Sequence, residues 1–387
     1  MPRPRVLALA LILLALAAPL AAQSSQFGVR GLGQPGRGLS VAALGNEGSG
    51  ALLDGRSSRN PAALGLLTST AFVFTSTQAW RNSENPSGSG STREQRFPHL
   101  QVGGPIPGSP LAVALSYSTF AVRDFTLVSE GTDSPRGIPI AVTDTIGSTG
   151  GINDLRAAVA WTVAPELIVG AGVHLLTGSN RVFSVRAWAD SAYLPIRQSA
   201  ELSYTGFGVS AGVVFNPTNR LHIAGSIRHD GALEVQRDSV EIGNVDLPWT
   251  LSAGLRYRLS DRLAFSGMLL TQDWSVADAG VVELGGLAAR NTVEVAAGLE
   301  LVRNIRRPEH LPIRVGVRHT QLPFLLVEGS QPRELAIALG TGFRFARDLG
   351  GIDLALERVE RSQGSNFSES AWQLSVGVSL RGLVSRR

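Results

Sequence analysis

The sequence predicts an all-β protein: a transmembrane antiparallel β-barrel of about fourteen strands with an N-terminal lumenal hatch. Three observations carry this expectation. Apolar and polar residues alternate over runs of about ten residues, the length of a tilted membrane crossing. Tight turns and long polar loops follow each other along the chain, the asymmetry of an outer-membrane barrel. A Gly-rich stretch without that alternation precedes the first strand.

Residues 1–22 read as a secretory signal peptide. Arg3 and Arg5 make a positive start, Val6 to Leu20 is apolar, and Ala21-Ala22 offers small residues for cleavage before Gln23. The apolar run is short for a spanning helix, which needs roughly 20 residues. Beyond Gln23 no apolar run is long enough for one, so helical membrane topology is excluded. The chain has no cysteine, which removes disulfides, thiolate nucleophiles and Cys-based metal sites. Its basic residues are all arginine, the formal net charge is +4, and the charge is scattered rather than clustered. A nucleic-acid partner has no footprint here.

Residues 23–67 are expected to form the hatch. The segment holds the Gly-rich run from Gly31 through Ala43 and ends in the helix-like Asn60-Pro61-Ala62. Asn caps a helix by accepting backbone N–H bonds, and Pro is at home in the first turn. Starting on the periplasmic side, this stretch can fold up into the lumen as a plug.

The barrel is expected over 68–387, with strands near 68–81, 92–104, 110–122, 153–164, 166–179, 199–215, 220–235, 247–259, 262–275, 291–303, 311–321, 333–345, 350–361 and 369–382. The last strand is the clearest. Trp372, Leu374, Val376, Val378 and Leu380 share one face, and Gln373, Ser375, Gly377, Ser379 and Arg381 the other. Trp249, Leu251 and Leu255 define the apolar face of another strand in the same way. Those faces are expected to meet lipid, so Val376→Arg should impair folding while Ser375→Arg is tolerated. Trp161, Phe215, Trp249, Tyr257, Phe343, Phe345 and Trp372 lie toward strand ends on the apolar face, where an aromatic girdle sits.

The connections carry the second signal. PIPGSP, APE, NPTNR, SDR and ARDLG are tight turns built on Pro, Asn, Asp and Gly. Between them lie long polar loops at 82–91, 123–152, 180–198, 236–246, 276–290, 322–332 and 362–368, with an intermediate link at 304–310. A soluble sandwich has no reason to alternate in this manner.

An Asn-Pro-Ala motif just before the first of about fourteen strands, after a Gly-rich run, resembles the FadL-type transporters of fatty acids and other hydrophobic compounds. The motif residues are Asn60, Pro61 and Ala62. The PorV-type barrels, which serve protein secretion, look similar. The FadL-type resemblance implies an outer-membrane channel for passive uptake of hydrophobic compounds such as long-chain fatty acids. Its partners would be that small molecule, outer-membrane lipid and the barrel-assembly machinery; it needs no cofactor and is not an enzyme. The PorV-type resemblance implies instead a protein-secretion partner.

Candidate site residues fall in two groups. Phe72 and Phe74 share one parity on the first strand, and Phe120 stands on the third; turned inward, they would line an apolar pocket. Arg256, Glu294, Glu300, Arg314, Arg318, Glu334, Arg344, Asp353 and Glu357 share the expected lumen face, where opposite charges on neighbouring strands pair. That pairing favours a salt-bridge network over a metal site. The spelling GxGxxG at 31–36 lacks the flanking strand and helix of a dinucleotide site and is interrupted by Pro35. His229-Asp230 has no strand-to-helix nucleophile elbow beside it. The six histidines are dispersed, so this pair reads as part of a polar rim.

Overall fold

The computed structural model describes residues 25–385 apart from 87, 136, 284, 285 and 347. The expected signal segment 1–22 lies outside the described residues. Fourteen long strands build a closed antiparallel barrel. They are β1 (Ser69–Asn85), β2 (Gly88–Pro105), β3 (Leu111–Val122), β4 (Ile140–Ala164), β5 (Leu167–Trp188), β6 (Ile196–Phe215) and β7 (Leu221–Asp230). The second half continues with β8 (Trp249–Arg258), β9 (Leu263–Gln272), β10 (Thr292–Leu301), β11 (Ile313–Gln321), β12 (Arg333–Phe345), β13 (Gly350–Gln363) and β14 (Phe367–Ser385). β14 returns to pair with β1, Trp372 opposite Trp80, so the wall has no open edge. Among the described residues no helix is long and apolar enough to cross a membrane.

The outer surface is what lipid requires. Every girdle residue named above faces outward, from Phe345 at 37% to Trp161 at 51% exposure, with Leu251, Leu255, Val295 and Ile337 between the ends. A closed barrel with an apolar belt, whose backbone groups are all satisfied by neighbouring strands, is a protein of the outer membrane.

The loops at 82–91, 123–152, 180–198 and 236–246 need correction, because the structure builds strands there. β4, β5 and β6 run for 25, 22 and 20 residues, about twice what a crossing takes. Phe125–Asp133 folds back on β4, while Ala232–Arg237 pairs with β6 and with Val240–Asp246. Above the membrane neither face has to be apolar, so alternation fades from the sequence while the ladder continues. Residues 276–290 hold a short helix, Asp278–Glu283, after the 3-10 turn Trp274–Ala277.

Residues 25–67 occupy the lumen. Ser40 caps the one-turn helix Val41–Leu44 by accepting from Ala43 N–H, and Asn60 caps the 3-10 helix Pro61–Leu66 by accepting from Ala62 N–H. Leu39, Val41, Leu44, Leu52 and Leu64 form one apolar core with Ala112, Ala160, Ile168, Val214 and Met268 of the wall. The inward positions there are Gly, Ala and Ser because segment backbone presses on them: a Cβ at Gly316 would overlap the main chain of Asn46. The expected tolerance of Ser375→Arg is therefore wrong. Ser375 is fully buried, with Oγ 2.8 Å from Thr77 Oγ1, and there is no room for a guanidinium.

Candidate functional site

Asn60 ties the lumenal segment both to itself and to the wall. Its Oδ1 accepts from Ala62 N–H at 3.0 Å, and its Nδ2 donates to Leu52 O at 2.9 Å and Val213 O at 3.3 Å. Pro61 and Ala62 pack on Gly170 of β5, and Asn60 lies against Gly212 of β6. Asn60→Ala thus removes more than a cap. It leaves buried groups without partners and is expected to cost the seating of this segment about 2 kcal/mol or more. Amide hydrogen exchange across 51–67 should quicken while the wall ladder stays protected.

Charges bind the segment to the barrel on several sides. Arg37 reaches Glu47 and, on β13, Glu357, each at 3.1 Å. Glu47 meets Arg318 of β11 at 3.1 Å, Arg318 meets Glu334 of β12 at 2.5 Å, and Glu334 continues to Arg361 and so to Glu369. Glu369 receives the Ser25 hydroxyl at 2.8 Å. A second cluster lies at the turn end. Arg256 and Arg314 share Glu300 at 2.5 and 2.7 Å, Arg344 holds Asp353 at 3.0 Å, and Glu309 collects Arg344, Arg381 and Arg56. Burial alone would raise the Glu309 carboxyl, but those arginines hold it well below the usual carboxylate range. Buried charges like these are tolerable only when paired.

Three placements differ from the expectation. Phe72 and Phe74 face lipid, since Ala71, Val73 and Thr75 are the buried set on β1; Phe74 stacks on the exposed Phe97 at 5.4 Å. A shift of one position in parity reverses every side chain of a strand. Glu294 stands apart from the network: among the described residues it makes neither an ion pair nor a hydrogen bond. His229 turns outward and stacks on Trp249 at 4.1 Å, while its neighbour Asp230 turns inward to Arg228 at 2.7 Å. Phe120, by contrast, faces the lumen beneath the Arg228 guanidinium, 5.6 Å away.

Sequence reasoning missed Arg81, Glu94, Arg361 and Glu369, which the same parity rule reaches near the outer ends of β1, β2, β13 and β14. It also missed a string across β4, β5 and β6. His174 Nδ1 lies 2.9 Å from Asp154 Oδ1, and its Nε2 lies 2.9 Å from Ser210 Oγ. The order is that of a hydrolytic triad, but β6 is paired on both edges around Ser210. Its backbone N–H groups are therefore spent on the ladder rather than aimed at an oxyanion. The string ties three strands together.

Two of the spaces left among the described residues differ sharply in character. A polar central cavity of about 190 Å³ lies above the segment, lined by arginines, carboxylates and hydroxyls. A mainly apolar pocket of about 690 Å³ lies among the raised strands, between Val29–Leu32 and Phe125, Leu127, Ile146, Val182 and Leu202.

The sequence matches the BamG family over residues 6–238. The chain belongs to the BamG family. The match takes in the lumenal segment, β1 to β7 and the Asp154–His174–Ser210 string. No curated protein matches the sequence. Among solved structures, a FadL homologue of Pseudomonas aeruginosa superposes with a TM-score of 0.58 at 14% identity, over 89% of this chain and 98% of its own. The CymD monoaromatic hydrocarbon channel gives 0.55 and the Ralstonia pickettii toluene transporter TbuX gives 0.53, each at 14% identity with the same coverage of both chains. This member of the BamG family thus has the fold of those barrels.

Proposed function

We propose that this barrel is a passive outer-membrane channel for hydrophobic compounds, with residues 23–67 as its hatch. The observation that carries the reading is the apolar pocket at the outer end. Its space of about 690 Å³ is enough to bury most of a hydrophobic ligand, and each Å² of apolar surface removed from water contributes roughly 25 cal/mol. An apolar solute that has crossed the polar outer leaflet gains by settling there. Arg30, Arg123 and Arg237 at its margin suit a carboxylate head, so a long-chain fatty acid fits as well as an aromatic hydrocarbon. The superposed hydrocarbon and toluene channels support the same reading. Beneath the pocket the lumen is polar and occupied, so passage requires the hatch to shift, and the Asn60-Pro61-Ala62 motif sets its resting position.

The test is Leu202→Arg. Leu202 lines the pocket on the raised part of β6, so the barrel should assemble normally. Uptake of labelled toluene or oleate is expected to fall about tenfold, the effect of losing on the order of 1.4 kcal/mol of binding. The BamG match favours a second reading, association with the barrel-assembly machinery or a secretion complex in place of solute passage. The ion pairs that pin the hatch agree with it. Unchanged uptake in Leu202→Arg, together with co-purification of that machinery, would replace the channel reading by this one.

A further inference from the structure

We propose that the central cavity is a binding site for a small zwitterion, held between Glu294 and Arg59. Five arginines and five carboxylates line the cavity, so its formal charges balance. Pairing removes most of them. Arg37 takes Glu357 at 3.1 Å, Arg318 and Arg361 share Glu334, and Arg228 lies between Asp154 and Asp230 at 2.5 and 2.7 Å. One group of each sign is left.

The remaining acid is Glu294, on β10 opposite Thr320 of β11. It is only 7% exposed, and its Oε1 is buried without a hydrogen-bond partner. The remaining base is Arg59. Its Nε donates to Arg37 O at 3.1 Å, its own carbonyl accepts from Ser226 Oγ at 3.0 Å, and among the described residues no carboxylate comes within 4.0 Å of its guanidinium. Close by, Arg228 keeps Nη2 buried and unpartnered. A buried carboxylate and a half-buried guanidinium that face one cavity without touching leave a gap for a molecule with both charges. Its ammonium would go to Glu294, and its carboxylate to Arg59 and Arg228 Nη2. A simple anion or cation would satisfy one end and leave the other charge uncompensated. This site differs in place and chemistry from the apolar outer pocket, and it stands whether or not hydrophobic compounds pass through the barrel.

The experiment is calorimetric titration of the purified full-length barrel in detergent. The probes are glycine and γ-aminobutyrate, whose charges sit at two separations, with acetate and methylammonium as single-charge controls. Fluorescence of Trp274, which lines the cavity, gives a second signal. Saturable binding of one or both zwitterions, at least tenfold tighter than either control, is the expected result. Glu294→Gln and Arg59→Gln should each weaken it about tenfold or more, the effect of one charge-assisted contact. Heat-modifiable mobility on gels reports whether each variant is folded, and the wild-type probe series decides the matter without them. Acetate binding as well as glycine would make this an anion site and overturn the proposal. The absence of saturable binding by both zwitterions would make the cavity a water-filled void and overturn it too.

Discussion

Cells carrying Gly340→Val are expected to make a folded barrel that leaks. Gly340 faces the lumen from β12, and a Cβ there would lie 2.5 Å from Gly45 Cα, a backbone contact that no rotamer change relieves. Valine suits a strand, so the wall itself is not weakened. Overpacking costs about 1–3 kcal/mol where side chains can yield. With main chain on both sides, about 3 kcal/mol or more is expected against seating residues 41–50, a shift of the order of 100-fold in the seated fraction. Planar-bilayer conductance and sensitivity of cells to a large polar antibiotic measure the opening, and heat-modifiable mobility confirms the wall. Wild-type conductance in a folded Gly340→Val barrel would show that the close contact with Gly45 does not keep the lumen shut.

Val376→Arg should fail at an earlier stage, during insertion. Val376 sits on β14 opposite Leu354 and Ser76, on the face shared with Trp372 and Leu380. An arginine near the bilayer midplane costs about 2–4 kcal/mol, so the folded fraction in liposomes at intermediate urea should drop sharply. Ser375→Arg should also do harm, by a different route. Its face carries Gly377, where a Cβ would lie 2.9 Å from Val41, so the guanidinium would push the lumenal segment aside and leave insertion intact. Equal urea midpoints for Val376→Arg and wild type would mean that this face of β14 does not meet lipid.

By itself the sequence determined the closed wall: the alternation of Trp372 to Leu380, the rhythm of turns and loops, and the strand order all follow from local pattern. A strand facing lipid on one side and a wet lumen on the other must write its two faces into adjacent residues, so period two is readable without the fold. The Asn60 cap was readable for the same reason, since a cap and its N–H lie two residues apart. Tertiary structure alone decided the rest. Phe72 and Phe74 are apolar on a strand whose buried face is Ala71, Val73 and Thr75, and only the packing of the lumenal segment says which side is in. The raised parts of β4, β5 and β6 stand clear of lipid, so no apolar face marks them. Glu294 looks like any other lumen carboxylate until its neighbours are placed and each arginine is found to be taken, or too far away. Such contacts join a segment without periodicity to strands far away in the chain, and nothing local in either partner specifies the other.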